Sequence, residues 1–519
     1  MSRSDPGSGA EAAPSSRNLL AVAKGGGFLA AGDLFNYGSR LAAALVLARV
    51  LQADEYGLYT LSVSMAFVAG GLANLGLDSA MERYVAVLRA RKDESGVQGT
   101  LQIGIGLTLL STLTVSVVGF FLADTVALEV FDDPRLAPLL RLVAFMVPFV
   151  VSTTLFAAIV RGFKRMDYSA FAEDFIQPVV RVTLIGILAV IGLTVQVAIF
   201  IFGTSYLVAT AVLVGLVHRL FPLDQPIGQA HRYTKEILTF SFPFWFSGLL
   251  NQMRINVQPL LLGVYSSMAN VGIFSLVTSA NLLGRVANMA VRTSLRPTLA
   301  ETLDQGETEE AEHLYQATTR WTLTANLPVF IVMVLYPTAI MSVFGESFEA
   351  GATALFLLAW AELANAATGT CGAVIDMSGL NLVKFLNKIF EVGLTLLLSV
   401  LLIRQWGLTG AATAVLVSSA TIQVVRLVEV RIFVGLHPYN LRILKPVLAG
   451  IVALGAGFGI DRLVPADGGL VQLMFDALVV VGVYAMVLIA LGLSEEDRVI
   501  IRAIARRLRI PIRRVNNEA

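Results

Sequence analysis

Apolar residues fill the chain in blocks from about residue 27 to residue 492, and short polar clusters separate the blocks. Each block is about 20 residues or more, enough for a helix to cross ~30 Å of hydrocarbon. Turn signals and charge clusters divide the chain into about fourteen helices. The predicted spans are 27–51, 56–86, 100–123, 136–161, 170–192, 195–218, 236–264, 268–294, 316–344, 350–378, 382–404, 407–433, 442–463 and 470–492. The expected fold class is an all-α polytopic membrane protein.

Composition points the same way. Of 519 residues, 56% are hydrophobic and 14% charged, and the mean hydropathy is +0.74. A soluble surface needs more polar residues than that. The net charge of +1 says little, because the placement of cations along the loops carries the topology. One set of alternate loops is basic: "RARKDES" (89–95), "RGFKRMDY" (161–168), "HRYTKE" (231–236), and the tail "RAIARRLRIPIRR" (502–514). The other set has few cations: "QADEYG" (52–57), "ADTVALEVFDDPR" (123–135), "SSMAN" (266–270) and "GESFEAG" (345–351). The basic set is expected in the cytoplasm, which puts both termini on the cytoplasmic side of the cell membrane and requires an even helix number.

The expected organisation follows. Residues 1–26 form a disordered cytoplasmic tail rich in Ser, Pro, Gly and Ala, without the compact apolar core of a secretory signal. Residues 27–218 form an N-terminal lobe, 219–235 a cytoplasmic linker and 236–433 a C-terminal lobe. Two further helices cover 442–492, and 493–519 form a basic amphipathic tail suited to an anionic lipid surface. The loop 295–315 is acidic and reads as an amphipathic helix or a flexible connector.

An internal repeat supports two lobes. "EYGLYTLSVS" (55–64) aligns with "NVGIFSLVTS" (270–279), pairing Gly57 with Gly272, Tyr59 with Phe274 and Leu61 with Leu276 at one offset. Asn36 and Asn251 keep that offset. Six helices per unit make the repeat parallel, so two pseudo-symmetric six-helix lobes are expected around a central cavity, plus two extra C-terminal helices.

At this point the sequence resembles a known family. "ARVLQADEYGLYTLSVSMAFVAGGLANLGLDSAMERYVA" is similar to the N-terminal signature of the polysaccharide transporter family, which includes the O-antigen and oligosaccharide flippases. "LGLSEEDRVIIRAI" is similar to that family's usual ending. The family sits in the multidrug/oligosaccharidyl-lipid/polysaccharide (MOP) flippase superfamily. The resemblance implies a transporter that moves a polyprenyl diphosphate-linked oligosaccharide from the cytoplasmic to the outer leaflet by alternating access. It also implies a role in cell-surface polysaccharide biosynthesis beside polymerase and glycosyltransferase machinery.

Polar groups inside a bilayer are costly and usually face a cavity or a partner. Asp33, Asn36 with Tyr37, and Arg40 share one face of the first helix at i, i+3/i+4, i+7. Arg49 lies about half a turn away and is expected to snorkel at the outer interface. Ser247, Asn251, Arg254 and Gln258 form a stripe on the seventh helix, and Asn281, Arg285, Asn288 and Arg292 one on the eighth. Asn74 and Asp78 stand one turn apart, and Glu173, Gln177 and Arg181 follow one another on the fifth helix. Arginine holds a diphosphate through paired charge-assisted hydrogen bonds. Arg40, Arg254 and Arg285 are therefore assigned to the diphosphate. Asp33, Asn36, Asn251 and Asn281 are assigned to sugar hydroxyls or to orienting the arginines, and Asp78, Arg181 and Asn288 complete the candidate substrate-binding set. The competing reading is that such charges pair and merely hold helices together.

No phosphate-binding loop for a nucleotide appears, so energy is expected from a Na+ or H+ gradient or the membrane potential. Asp33, Asp78, Glu362, Asp376 and Glu391 are the candidate coupling acids. The lone cysteine, Cys371, offers no disulfide or metal cluster, and the four histidines fall in or beside cytoplasmic loops. No cofactor, metal site, catalytic residue or nucleic-acid partner is expected; lipids and the carrier-linked glycan are. Two alternatives keep the fold and change the cargo: a peptidoglycan-precursor flippase, and a cation-coupled multidrug or metabolite exporter. A membrane enzyme would need a catalytic acid cluster or a larger outer loop.

Overall fold

The computed structural model describes residues 14–221, 233–463 and 469–492, and only the backbone of 14–34, 283, 285–298, 300 and 460–463. The C-terminal tail, most of the linker and residues 1–13 of the N-terminal tail expected above lie outside the described residues, whereas residues 14–26, expected to be disordered, are helical and open α1. Within the described residues every regular element is helical. The first half comprises α1 (Pro14–Asn74), α2 (Leu77–Ala90), α3 (Glu94–Thr125), α4 (Leu136–Gly162), α5 (Met166–Ala170), α6 (Gln177–Ile191) and α7 (Val195–Leu220). The second comprises α8 (Thr234–Tyr265), α9 (Met268–Asp304), α10 (Thr308–Leu335), α11 (Pro337–Ser342), α12 (Ala352–Ala367), α13 (Cys371–Met377), α14 (Asn381–Glu429), α15 (Leu444–Leu463) and α16 (Gly469–Ala490). The protein is a polytopic all-α membrane protein.

Ten helical stretches among the described residues are long and apolar enough to cross a membrane. Two of them are pairs of spans joined through a kink. α1 bends at Gln52 (φ 59°, ψ 177°), and α14 bends at Gly407 (φ 51°, ψ −122°). α8 is 32 residues long, but its polar stripe lowers its hydropathy, and α9 opens with the shorter apolar stretch Met268–Leu282. Every span expected from the sequence thus has a helical counterpart. The loop 295–315 is largely helical, because α9 runs on to Asp304 and α10 starts at Thr308.

The helix starts follow local chemistry. Asp93 accepts from the Gly96 amide at the head of α3, and Ser267 accepts from the Asn270 amide at the head of α9. Both satisfy amides that the first turn leaves orphaned. The second predicted span is broken instead of continuous. Leu75 and Gly76 take φ of 50° and 70° between α1 and α2. A Cβ at Gly76 would come 2.3 Å from the Ser241 carbonyl oxygen, so only glycine lets the α8 backbone approach.

The chain divides into two compact units. Unit 1 holds residues 1–47 and 62–252, and unit 2 holds 48–61 and 253–519. Unit 1 is packed around Leu77, Met81, Leu155, Ile159 and Leu213, and it includes the first half of α8, where Trp245 donates to the Gly71 carbonyl at 3.1 Å. One core cluster of unit 2 gathers Tyr315, Cys371, Val374 and Val430.

Candidate functional site

In unit 1 the polar side chains gather around the fifth predicted span. Pro178 has no N–H to return to the carbonyl four residues back. The backbone there forms a π-helical turn over Phe171–Ile176 before α6, a local widening often found at functional sites. That turn carries Glu173 and Asp174. Asn36 donates through Nδ2 to Asp174 Oδ1 at 3.1 Å, and Phe35 stacks on Phe175 at 5.2 Å between centroids. Arg161 bridges Glu82 (3.0 Å) and Glu173 (3.2 Å). Gln177 donates to Ser205 at 3.2 Å.

One turn further, Arg181 is held differently. Its guanidinium lies 5.3 Å from the Phe202 ring centre and 5.9 Å from that of Tyr206. Its Nε is buried and meets no acceptor, and no carboxylate among the described residues pairs with it. The ring faces supply cation–π stabilisation but leave the in-plane N–H groups to a partner with oxygen.

In unit 2 the charges sit mainly along α14. Arg426 contacts Glu391 at 2.8 Å, and Lys384 contacts Asp376 at 2.9 Å. Asn387 donates to Glu429, and Gln423 donates to Asn365. Lys388 lies within electrostatic reach of both Arg254 and Glu391. Deeper in the unit, Glu362 is buried, and Asn326 donates to the Gly284 carbonyl at 3.2 Å. Asn281 is buried, and no hydrogen bond reaches its Oδ1.

Set against the sequence, the candidates separate. Asn36 and Arg181 enter the polar groups of unit 1, and Asp78 is half-buried in the first turn of α2. Arg40 is exposed. Asn251 belongs to unit 1 and Arg254 to unit 2, both half-buried. The side chains of Asp33, Arg285 and Asn288 lie outside the described residues. Of the candidate coupling acids, Asp376 and Glu391 each hold a basic side chain. Arg49 does more than snorkel: its Nε (3.0 Å) and Nη2 (2.8 Å) both donate to the Val343 carbonyl, at the end of α11 where a cation offsets the helix dipole. The sequence reading missed Asp174, Arg161, Asn326 and Arg426. Arg161 counted only as a cytoplasmic cation, although Gln423 and Arg426 at i, i+3 were a legible polar stripe.

A family model described as polysaccharide biosynthesis protein matches residues 22–303. Among curated proteins, stage V sporulation protein B of Bacillus subtilis is 22% identical over 337 residues, covering 58% of this chain and 63% of that one. The probable low-salt glycan biosynthesis flippase Agl15 of Haloferax volcanii is 22% identical over 214 residues, covering 41% of this chain and 45% of that one. In both cases the match spans less than two thirds of the relative. Among solved structures, the lipid II flippase MurJ in an inward closed conformation aligns with a TM-score of 0.70 at 13% identity, covering 92% of this chain and 99% of that one. A multidrug resistance MATE family transporter of the MOP superfamily aligns with a TM-score of 0.66 at 15% identity, covering 76% and 94%. At such identities these two likenesses concern the fold.

Proposed function

The chain belongs to the polysaccharide biosynthesis protein family, and from that premise we propose that it is a MOP-superfamily flippase moving a polyprenyl diphosphate-linked oligosaccharide from the cytoplasmic to the outer leaflet. The name of the Haloferax relative, a glycan biosynthesis flippase, supports the same reading. The orientation is that of the loop charges, with both termini in the cytoplasm.

The observation that carries this reading is Arg181. A guanidinium inside a bilayer is expensive unless paired. Here its rings and its unmatched Nε favour a transient anionic partner rich in acceptor oxygens, which a diphosphate is. Arg254, with Lys388 near it, offers a second cationic station in unit 2. Such stations are unfavourable for the cationic drugs of an exporter. The proposed roles of the other residues stand as assigned: Arg40 and Arg285 toward the diphosphate, and Asp33, Asn36, Asn251 and Asn281 toward sugar hydroxyls or toward orienting the arginines, with Asp78 and Asn288 completing the substrate-binding set. The lipid II-type carrier shares the same diphosphate, so Arg181 suits a peptidoglycan precursor equally well. The test is depletion of the protein in its own cell. Carrier-linked oligosaccharide is expected to accumulate on the inner leaflet. No accumulation, with new drug sensitivity instead, would overturn the reading in favour of an exporter.

A further inference from the structure

The open face of α1 around Asn36 is unlike a lipid-facing surface. Its exposed positions are Phe35, Gly38, Arg40 and Ala42. A lipid-facing helix looks like α3, which exposes Leu110, Leu113, Val117 and Phe121. Hydrocarbon favours large apolar groups and penalises a guanidinium, whereas a glycine, an alanine and an arginine suit a wet wall.

An aromatic platform with a polar edge stands on that face. Phe35 is 42% exposed and stacks on Phe175, with the ring planes 19° from parallel. Phe175 covers one face of the Phe35 ring, so the exposed part is the other face and the edge. Beside the ring, Asn36 donates to Asp174, and both side chains are half-buried. Gly38 lies one turn on from Phe35, and a Cβ built on it would meet nothing within 4 Å. The glycine therefore borders open space next to the ring. All these residues belong to unit 1.

We propose that Phe35, Asn36, Gly38 and Asp174 form a pyranose subsite that holds the sugar nearest the carrier diphosphate. A pyranose ring has an apolar face of C–H groups and a rim of hydroxyls. The C–H face suits the flat Phe35 ring. The hydroxyls suit a carboxylate and an amide, which can accept and donate beyond the one bond they share. The placement fits as well. Asp174 and Arg181 are about two turns apart on one span, roughly 10 Å along it, and Asp174 is the one nearer the basic loop 161–168. A diphosphate at Arg181 thus directs its first sugar toward the cytoplasm and onto the platform. The subsite rests on the cargo proposed above. It adds recognition of the glycan to recognition of the diphosphate, which every carrier of this type shares.

The test measures binding to the full-length protein in lipid nanodiscs. Two probes are compared: polyprenyl diphosphate without sugar, and the diphosphate-linked glycan extracted from cells depleted of the protein. Phe35→Leu removes the ring and stays apolar. Gly38→Leu fills the open space, and leucine favours a helix more than glycine does, so folding is preserved. Each variant is expected to weaken binding of the glycan probe about tenfold, equivalent to ~1.4 kcal/mol, and that of the sugar-free probe less than about twofold. Phe35→Trp restores a flat ring and is expected to recover most of the affinity. Equal weakening of both probes would assign Phe35 and Gly38 to lipid contact or packing and overturn the subsite. Unchanged binding of the glycan probe to Gly38→Leu would overturn it too. Wild type that binds both probes alike leaves the diphosphate station standing and removes only the subsite. Depleted cells that yield no such glycan, or wild type that binds neither probe, contradict the cargo itself.

Discussion

Asn36 on α1 donates to Asp174 across 3.1 Å, tying the first helix to the π-helical turn ahead of α6. The sequence placed Asn36 on a polar face, but the partner lies 138 residues away on a turn whose shape depends on Pro178. Asn36→Ala withdraws one donor from that carboxylate, which costs about 1–3 kcal/mol in a poorly solvated site. The thermal midpoint of the purified protein should fall accordingly. Asn36→Asp should fall further, since it sets two carboxylates against each other. An Asn36→Asp protein as stable as wild type would remove this bond from the account.

Arg426 and Glu391 should behave as one unit. Both side chains are about four-fifths covered, so removing either strands its partner's charge. Glu391→Gln is expected to lose about 1–2 kcal/mol, discounted for the remaining exposure, and Arg426→Gln a similar amount. The double variant should be more stable than the sum of the two losses predicts. Strict additivity in denaturation midpoints would show that the pair is not coupled.

Much of the architecture was legible because a spanning helix announces itself by length and hydropathy. What was not legible depends on distant contacts. The break at Leu75–Gly76 lies within an apolar run and comes from the close α8 backbone at Ser241. Arg49 read as a free interfacial cation, because nothing local shows the Val343 carbonyl 294 residues on. Glu173 and Arg181 share a helix face and invited pairing. Instead Arg161 takes Glu173, and Phe202 and Tyr206 take Arg181. Spacing along one helix shows which groups are polar together, but not which neighbour answers them.

The loop before α4 carries a pH signature. Arg135 hydrogen-bonds Asp133 through side chain and backbone and holds its carboxyl below the usual range, against an opposing effect of burial. A depressed folded-state pKa stabilises the fold above the unfolded value of about 3.9, and that contribution is lost as pH falls through the folded value. Wild type should therefore melt above Asp133→Asn at pH 7, with the gap closing below about pH 4. A gap that is constant from pH 7 to pH 3 would contradict this.

Arg181→Ala should leave abundance near wild type while slowing flipping by about 10- to 100-fold, the loss expected for one charge-assisted contact. Arg181→Lys keeps the charge but not the planar fork and should recover only part of the rate. Wild-type flipping in both variants would return Arg181 to a structural role.

The most direct measurement is transport by the purified protein in liposomes. A fluorescent polyprenyl diphosphate-linked oligosaccharide is placed in the membrane, and its access to an external glycosidase is followed with time. The account predicts that wild-type protein exposes the inner-leaflet pool at a rate that depends on Arg181, while a polyprenyl carrier lacking the diphosphate is moved poorly. Equal rates in protein-free liposomes, or equal rates with and without the diphosphate, would contradict it.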